Sequence, residues 1–429
     1  MNKLRVLWLS NTALSGPDTY GTGSWLFPMA RRLIESGRIE LGNITQGRVR
    51  QCRRSDYPGL AQWIIPRRFQ FIGEQRIPGP RRIEEILSII DQFSPDIIHV
   101  WGTEQFWGLL ISRRIIRLPA LLEMQGLEHA CALYYEGGLS LWDQMACIGF
   151  KEIAKISPIF MQRRRLHKWG VFEQEIIRGH KFIGIQSEWI MARVKAINPN
   201  CLTFQNDIIL RDQFYAEENK DRPRSHVLFC SAAYPVPYKG IHVAIRAAAL
   251  LKNRFPDIQL RIAGPYQREG VRQDGYVRWL KREIKRLGLT HNIVWLGEQS
   301  AGQIIKEMQS ASAMIIPSFI ENCCVAMQEA MNIGIPLVVS YSGGLPSLAD
   351  HEISALFFPA GDEVICAHQI ERLLTDQPLA DRLSREAHTR ATKRNDPDRI
   401  IKRQIRIYEQ ILGSHDRPDS PLSKANDTP

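Results

Sequence analysis

The segment Ile315–Gly344 constrains the fold more than any other part of the chain, because it predicts one complete α/β unit. An apolar run at 311–316 has the length and character of a buried strand. A helical pattern follows and ends at Gly334, a residue typical of helix C-termini. A second apolar strand, 337–339, runs into the loop 342–344. Both loops are therefore predicted at the same strand edge, where open α/β sheets bind ligands.

Two acidic residues in this unit carry the candidate chemistry. Glu321 lies in the loop before the predicted helix, and Glu329 lies eight residues on, two turns inside the helix. The free amides and the dipole of a helix start attract phosphate, while a carboxylate inside the helix can accept hydrogen bonds from a sugar diol. The pattern therefore suits a sugar–diphosphate ligand. The alternative is that both are ordinary surface acids, and the flanking residues decide between the two interpretations.

The flanking sequence PSFIEN…EAMNIGIPLVVSYSGG resembles the donor-site motif of glycosyltransferase family 4, whose members are retaining enzymes with the GT-B fold. One departure is the Asn322-Cys323-Cys324 sequence, where the family usually has small or Phe/Gly-rich residues. Backbone amides would still bind the phosphates there. The matching positions are Glu321, Glu329, Ala330, Met331, Gly334, Pro336, Gly343 and Gly344.

The resemblance implies an α/β GT-B fold, with two Rossmann-like parallel-sheet domains that face each other across a cleft. Residues 1–215 are then the N-terminal acceptor-side domain, and 216–397 are the donor domain, with the polar segment 217–224 as the linker. A last helix, about 398–413, is expected to pack back on the N-terminal domain. The polar, Pro-containing tail 414–429 is predicted to be disordered.

In the N-terminal half, the resemblance places a Gly-rich loop and a strand end beside the ligands. Gly21 and Gly23 have the useful spacing in the loop after the first strand, and this loop would face the donor diphosphate. A later strand, 118–124, ends at Gln125 where many family members have a His, and His129 follows four residues on. Gln125 can orient an acceptor hydroxyl but cannot act as a general base.

In the C-terminal half, Lys239 precedes a predicted helix, and the corresponding Lys of the family neutralises the donor diphosphate. The family often has an Arg five residues earlier, where this chain has Tyr234. By resemblance, Leu296 and Gly297 lie near the nucleobase, and UDP- or GDP-sugars are favoured. Residues assigned to donor binding on the same basis are Asn322, Cys323, Gly343 and Gly344.

Composition excludes several other classes of protein. The sequence has no run of 18 apolar residues, and its start predicts a first strand rather than a signal peptide. Its eight cysteines are scattered without a C-x-x-C pair, which fits a reducing compartment rather than a disulfide framework or zinc site. No acidic metal-binding pair stands out. We therefore expect a cytoplasmic protein whose site needs neither a metal nor a cofactor.

The positive charge is concentrated in the N-terminal half. Residues 1–215 hold 28 Lys and Arg against 20 Asp and Glu, which is +8 of the total +11. No nucleic-acid-binding signature accompanies this charge, so we expect no nucleic-acid partner. The segment 134–178 is the least regular part and contains the basic cluster Arg163–Arg165. Such a segment can lie on an anionic membrane surface, and the alternative is a solvated helix face.

The predicted function is transfer of a sugar, with retained configuration, from a nucleotide-diphosphate sugar to a hydroxyl of a glycan or lipid-linked acceptor. Lys239 would stabilise the departing phosphates, Glu329 would hold the ribose and Glu321 the transferred sugar. The phrases at 134–139, 197–200 and 206–215 resemble a bacterial subset that builds surface polysaccharides. Alternatives are a nucleotide-sugar epimerase, a non-catalytic carbohydrate- or lipid-binding protein on the same fold, and a nucleic-acid binder.

Overall fold

The computed structural model describes residues 3–14, 24–67, 77–155, 157–215, 225–266, 270 and 273–415. Two α/β domains, each built on a predominantly parallel sheet, make up this part of the chain, so the predicted fold class is confirmed. The predictions for Gly21, Gly23, the linker 217–224 and residues 416–429 of the predicted tail lie outside the described residues. Ser414 and His415, which were predicted to belong to the disordered tail, are the last two residues of the final helix.

The N-terminal sheet has eight strands in the order β3-β4-β2-β1-β5-β6-β7-β8. All neighbouring pairs are parallel except β3 with β4. The central strands β5 and β6 are fully buried, as expected of apolar strands covered by helices on both faces. The strands are β1 Leu4–Leu9, β2 Ile39–Gly47, β3 Arg53–Arg54, β4 Leu60–Pro66, β5 Ile97–Trp101, β6 Ala120–Glu123, β7 Phe182–Ile185 and β8 Leu202–Gln205. The helices are α1 Leu26–Glu35, α2 Pro80–Phe93, α3 Trp107–Ser112, α4 Glu128–Tyr134, α5 Leu141–Ala146, α6 Phe150–Ala154, α7 Ile159–Gly179 and α8 Glu188–Ile197.

The C-terminal sheet has six parallel strands in the order β11-β10-β9-β12-β13-β14. From β9, the chain adds β10 and β11 on one side of the sheet and then β12 to β14 on the other side. The first sheet has the same kind of reversal between β1 and β5. These two switch points are where doubly wound sheets bind ligands. The strands are β9 Val227–Ser231, β10 Gln259–Ala263, β11 Ile293–Gly297, β12 Ala313–Ile316, β13 Leu337–Tyr341 and β14 Leu356–Pro359. The helices are α9 Ile241–Leu251, α10 Gly275–Arg286, α11 Ala301–Ser310, α12 Val325–Ile333, α13 Glu363–Thr375, α14 Gln377–Arg394 and α15 Pro397–His415.

The last helix, α15, packs on the N-terminal sheet. Ile401, Ile405 and Tyr408 share one buried cluster with Trp8 of β1. The Tyr408 hydroxyl lies 2.7 Å from Nδ1 of His99, and both side chains are buried. Burial lowers the pKa of His99 well below its ordinary value, so the imidazole is a neutral packing group. His99 therefore belongs to the core of the domain rather than to a site.

The segment 134–178, which we expected to be the least regular part, is helical, so that expectation was wrong. It contains α5, α6 and the 21-residue helix α7. Its buried residues Tyr135, Leu139, Cys147 and Ile159 share a core cluster with the strands and helices of the C-terminal domain. A part of the N-terminal half thus reaches across and packs on the second domain. The sequence hid this because α5 and α6 are short and do not bury their apolar side chains.

Candidate active site

The switch point of the C-terminal sheet brings Lys239 and Glu321 into a direct ion pair. Lys239 Nζ donates to Glu321 Oε1 at 2.6 Å, and Ser318 Oγ donates to the same oxygen at 2.8 Å. The side chains of Lys239 and Glu321 are 20% and 14% exposed to solvent, respectively. Burial acts to lower the pKa of Lys239, but the charge and hydrogen bond of Glu321 outweigh it, so this pKa is raised. Lys239 is therefore a fixed cation in the loop between β9 and α9, and the second oxygen of Glu321 is not used by this pair.

A glycine allows the two loops to approach each other. Gly240 has φ +69°, and a Cβ at this position would overlap the carbonyl oxygen of Pro317. Beside it, the amide of Phe319 donates to the carbonyl of Tyr238 at 2.7 Å. The loop that carries Lys239 therefore lies directly on the loop that carries Glu321. This contact requires a residue without a side chain that tolerates positive φ.

The Gly343-Gly344 loop supports the Glu321 loop from the other side. The amide of Gly344 donates to the carbonyl of Glu321 at 2.8 Å. A Cβ on Gly343 would overlap that same carbonyl, and one on Gly344 would overlap the carbonyl of Asn322. In this structure the two glycines position the backbone around Glu321, and their predicted contact with the donor stays a prediction.

Asn322 bridges the two domains. Its Oδ1 accepts from Ser187 Oγ at 3.0 Å, and its Nδ2 donates to the carbonyl of Gln125 at 3.0 Å. The next residue, Cys323, accepts a hydrogen bond from Gln328, and burial raises the pKa of its thiol to about 11. The amide side chain of Asn322 thus joins the Glu321 loop to the N-terminal domain, and the predicted contact of Asn322 and Cys323 with the donor stays a prediction.

Helix α12 begins at Val325, one residue after Cys324, which provides no side-chain cap. The first amides of the helix therefore have no partner within it. Glu329 is the fifth helical residue, so it lies about one turn from the helix start rather than two as predicted. The helix starts later than its sequence pattern indicated, because residues 321–324 form the loop.

Glu329 is buried in a two-pronged ion pair with Arg211, whose Nε and Nη2 donate at 2.8 and 2.9 Å. Burial raises the pKa of Glu329, and the charge of Arg211 opposes the shift. Each carboxylate oxygen can accept a second hydrogen bond, so the pair leaves capacity for a diol. Sequence reasoning missed Arg211, which lies 118 residues away from Glu329 in the chain.

On the acceptor side, His129 stands at the start of α4 and its Nδ1 is hydrogen-bonded to Glu173 of α7. Glu173 is buried and also accepts from Thr103 Oγ1 at 2.7 Å and from the amide of Glu128 at 2.9 Å. A carboxylate only accepts, so Nδ1 carries a proton in this contact, and Nε2 takes no part in it. Glu173 was not predicted as a site residue, because its link to His129 exists only in the folded chain.

Gln125 lies at the end of β6, and its Nε2 is buried without a hydrogen-bond partner in the described part of the chain. An unpaired buried amide of this kind is costly unless a ligand or a water satisfies it. Cys131, on α4, lies close enough to Lys239 and Glu321 for their charges to act on its pKa, which burial raises. Helix α4, which carries Cys131 and His129, therefore lies near the Lys239–Glu321 ion pair.

Two further carboxyl groups near α4 have strongly raised pKa values. Burial raises the pKa of Glu104 to about 7, and Asn11 Nδ2 donates to this side chain at 3.0 Å. Burial, with the neighbouring charges of Glu104 and Glu173, raises the pKa of Glu128 to about 8. Glu104 and Asn11 follow β5 and β1, so they lie at the switch point of the first sheet. The raised pKa values of Glu104 and Glu128 come mainly from burial, which the surrounding sequence does not reveal.

A cavity of about 260 Å³ opens at the ends of β9, β10 and β11. Tyr266 stacks on Trp295 with ring centroids 5.2 Å apart. Glu298, which directly follows Gly297, lines the cavity, whereas Leu296 packs against the core behind it. Tyr234, which stands where the family often has an Arg, also lines this cavity. The lining residues are Lys151, Ala233, Tyr234, Pro235, Pro265, Tyr266, Asp274, Val277 and Glu298.

Comparison with known proteins agrees with the geometry of this half of the chain. Residues 213–390 match the family described as Glycosyl transferases group 1. The chain is 30% identical over 172 residues to an uncharacterized glycosyltransferase of Methanocaldococcus jannaschii, covering 40% of this chain and 42% of that protein. It is 26% identical over 209 residues to the D-inositol 3-phosphate glycosyltransferase of Salinispora tropica, covering 48% of this chain and 42% of that protein. The chain thus spans less than half the length of these two relatives.

Solved structures extend the likeness to both domains. Sucrose-phosphate synthase from Thermosynechococcus elongatus superposes with a TM-score of 0.74 at 17% identity, covering 96% of this chain and 100% of that one. The Anabaena protein HepE in complex with UDP and glucose gives a TM-score of 0.63 at 15% identity, covering 96% and 99%. At this level of identity the likeness shows the fold alone, and that fold is GT-B.

Proposed function

We propose that the chain is a glycosyltransferase that moves a sugar from a nucleoside-diphosphate sugar to an acceptor hydroxyl. The observation that carries this proposal is the Lys239–Glu321 ion pair at a switch point, beside the uncapped start of α12. A fixed cation and free helix amides together suit a diphosphate, and a carboxylate held beside them suits the hydroxyls of the attached sugar. The match of this half to the glycosyl transferases group 1 family supports the same conclusion.

The barrier to sugar transfer comes mainly from charge separation as the diphosphate leaves. Lys239 and the first amides of α12 are positioned before the reaction, so they stabilise the developing negative charge without reorganisation. Glu321 is oriented by Lys239 and Ser318, and its other oxygen would accept from the hydroxyls of the transferred sugar. Glu329, oriented by Arg211, would accept from the ribose diol.

On the acceptor side, we propose that the protein side chains orient the acceptor hydroxyl and do not themselves attack the sugar. His129 would accept a hydrogen bond from the incoming hydroxyl through Nε2, with Glu173 holding the ring from behind. The unpaired amide of Gln125 would donate to the same acceptor. The departing phosphate can take up the proton, so we propose attack on the face of departure and retention of the anomeric configuration, as in glycosyltransferase family 4.

The donor base would lie in the cavity at the ends of β9, β10 and β11, beside Tyr234. UDP-sugars are favoured, since the similar Anabaena structure was solved with UDP-glucose, and GDP-sugars are the second choice. We propose that the protein acts in the synthesis of bacterial surface polysaccharide, on the cytoplasmic side of the membrane. This proposal rests on the segments 134–139, 197–200 and 206–215, which resemble those of a bacterial subset of the family.

The test is donor turnover by the purified full-length chain. Wild type should release nucleoside diphosphate from a UDP- or GDP-sugar, faster when a bacterial lipid or glycan extract supplies acceptors. Lys239→Ala and Glu321→Gln should each lose about 10²-fold or more of this rate, the usual cost of removing a preorganised charge. The matched control is Lys285→Ala, which removes an exposed Lys of α10. Equal rates in wild type and both site variants would overturn the assignment.

A second candidate is a non-catalytic nucleotide-sugar binding protein on the same fold. Tyr234 in the place of the usual Arg favours it, because one cation fewer is then present to stabilise the departing diphosphate. Nucleotide binding that is lost in Lys239→Ala, without any donor turnover, would support this alternative.

A further inference from the structure

Helices α5 and α6 expose a run of large apolar side chains. Elsewhere in the described chain such residues are exposed singly or in pairs, as at Tyr341, which is normal for a protein surface. Here five of them fall within residues 141–153. We call them the apolar face. They are Leu141 (78% exposed), Trp142 (86%), Met145 (59%), Phe150 (69%) and Ile153 (68%).

These helices are oriented opposite to ordinary surface helices. The buried residue of α5 is Gln144, and that of α6 is Glu152. Glu152 accepts hydrogen bonds from the amides of Gly149 and Gly275, both at 3.0 Å. An ordinary amphipathic helix buries its apolar stripe and exposes its polar one. The inverted arrangement leaves the apolar face outward on a backbone that is held in place.

The orientation is fixed by contacts with α10 of the C-terminal domain. Trp279 Nε1 donates to Asp143 at 3.1 Å, and Lys151 pairs with Asp274 at 2.7 Å. Ser140 caps α5 in a reciprocal pair with Asp143. The apolar face is therefore a structured surface that belongs to the folded protein.

Basic side chains lie on two helices next to the apolar face, α7 in sequence and α10 in direct contact. Helix α7 exposes Arg163, Arg164 and Lys168 after the exposed Phe160, and Arg163 is paired with Glu136. Arg278 and Arg282 of α10 donate to the carbonyls of Ile148, in the turn between α5 and α6, and of Ala146, at the end of α5. We call these side chains the basic border. An apolar centre with a basic rim is complementary to a bilayer that carries anionic headgroups.

We propose that the apolar face and the basic border form a docking surface for an anionic lipid bilayer. In the described part of the chain, no helix has the length and hydropathy needed to cross a membrane. The contact is therefore an interfacial one, with Trp142 at headgroup depth, where Trp is favoured. This inference rests on the surface itself and holds independently of the proposed sugar transfer.

The location of this docking surface also indicates the class of acceptor, a conclusion that rests on the proposed function. Helix α4, which carries His129, leads directly into α5 through residues 135–140. A protein docked through α5 and α6 would hold its acceptor side close to the bilayer. The acceptor class that fits this geometry is a hydroxyl on a lipid-anchored glycan.

The test is co-sedimentation of the purified full-length protein with vesicles. One set contains phosphatidylcholine alone, and the other contains about 30 mol % phosphatidylglycerol to supply the negative surface potential. We expect binding to the anionic vesicles that weakens with added salt. Leu141→Ser/Trp142→Ser should lower the partition coefficient about tenfold or more through lost apolar burial, and Arg164→Ser/Lys168→Ser by about fivefold for each charge removed.

Matched control variants distinguish binding through this surface from non-specific binding of the protein to vesicles. Tyr341→Ser/Val364→Ser removes two exposed apolar side chains from the other domain, and Lys402→Ser/Arg403→Ser removes two exposed charges from α15. Both control variants should bind like wild type, and all four should keep the wild-type melting temperature because every changed side chain is exposed.

Three outcomes would overturn the proposal. The first is no binding to either vesicle, and the second is equal loss in control and test variants. The third is a dimer in sedimentation velocity that Leu141→Ser/Trp142→Ser dissociates in the absence of vesicle binding, which would assign the surface to a second copy of the chain. Donor turnover without lipid acceptor is measured on the same samples, so failure of docking and failure of sugar transfer are distinguishable.

Discussion

Glu321 and Lys239 satisfy each other while leaving hydrogen-bonding capacity toward the cleft. One oxygen of Glu321 accepts from both Lys239 and Ser318, so the second oxygen is available to a ligand. Glu329 and His129 are likewise hydrogen-bonded, to Arg211 and Glu173 respectively. At the scale of single residues, Glu321, Glu329 and His129 are each oriented by a hydrogen-bonded partner from another part of the chain.

Replacing the two members of the ion pair should have different kinetic effects. Lys239→Ala removes the cation that faces the diphosphate, so we expect weaker donor binding, about tenfold or more in Kd, along with slower turnover. Glu321→Gln keeps the shape and a hydrogen-bond acceptor, so we expect kcat to fall about 10²-fold with little change in donor Kd. Titration calorimetry with the donor and initial-rate kinetics measure both quantities. The same loss of donor affinity in both variants would show that Glu321 has no separate role in the chemical step.

Glu128 should make the folded protein more stable at acidic than at alkaline pH. Its pKa is about 8 in the folded state, above the ordinary value of a carboxyl, so the folded state holds the proton more tightly. This contribution is fully present below the unfolded pKa and is lost as the pH rises through the folded one. We expect the melting temperature to fall between pH 5 and pH 8.5, and to fall less in Glu128→Gln. An identical fall in both proteins, followed by thermal unfolding, would exclude Glu128 as the source.

At the scale of elements, close backbone contacts at the strand ends form the site. Gly240 ends the turn after β9, and the Gly343-Gly344 loop follows β13. These two elements enclose the loop after β12, which carries Glu321. The geometry of the site therefore depends on three strand ends of one parallel sheet.

Gly240→Ala should damage both stability and donor binding, because the added Cβ meets the carbonyl of Pro317 at a positive φ. Gly37→Ala is the matched control, since Gly37 has φ +70° but open space around its Cα. The control should cost about 1 kcal/mol of stability from the backbone conformation alone. Gly240→Ala should cost clearly more, and the surviving folded protein should bind nucleotide more weakly. Chemical denaturation and nucleotide titration compare the two variants, and equal costs would show that the loop contact does not position Lys239.

The sequence allowed some elements to be predicted closely and hid others. Helix α2 and the strands around Glu321 follow from regular hydrophobic patterns with Pro and Gly at their ends, so local physics decides them. Helices α5 and α6 could not be predicted, because their apolar side chains face outward and carry no core signal. Lys239 and Glu321 were found through a local motif, whereas Arg211 and Glu173 were missed. Their partners lie 118 and 44 residues away, and such pairings arise only when the chain folds.

At the scale of the whole molecule, several contacts within the described residues join the two domains around the cleft. Helix α15 returns from the second domain to the first, residues 135–159 reach from the first domain to the second, and Asn322 bridges them at the base. The outer side of the crossing segment is the apolar face. The same segment thus connects the domains and carries the surface that we propose to dock on a bilayer.

The most direct test of the proposed donor site is a thermal-shift screen of the purified protein against UDP, GDP, ADP, CMP and their common sugars. A ligand that binds only the folded state raises the melting temperature, by about 2–4 °C at a hundredfold excess over Kd. We predict one clear response, to a uracil or guanine nucleotide, that disappears in Lys239→Ala and persists in Lys285→Ala. A well-folded wild type whose melting temperature no nucleotide changes would contradict the assignment of Lys239, Glu321 and α12 to a nucleotide-sugar site.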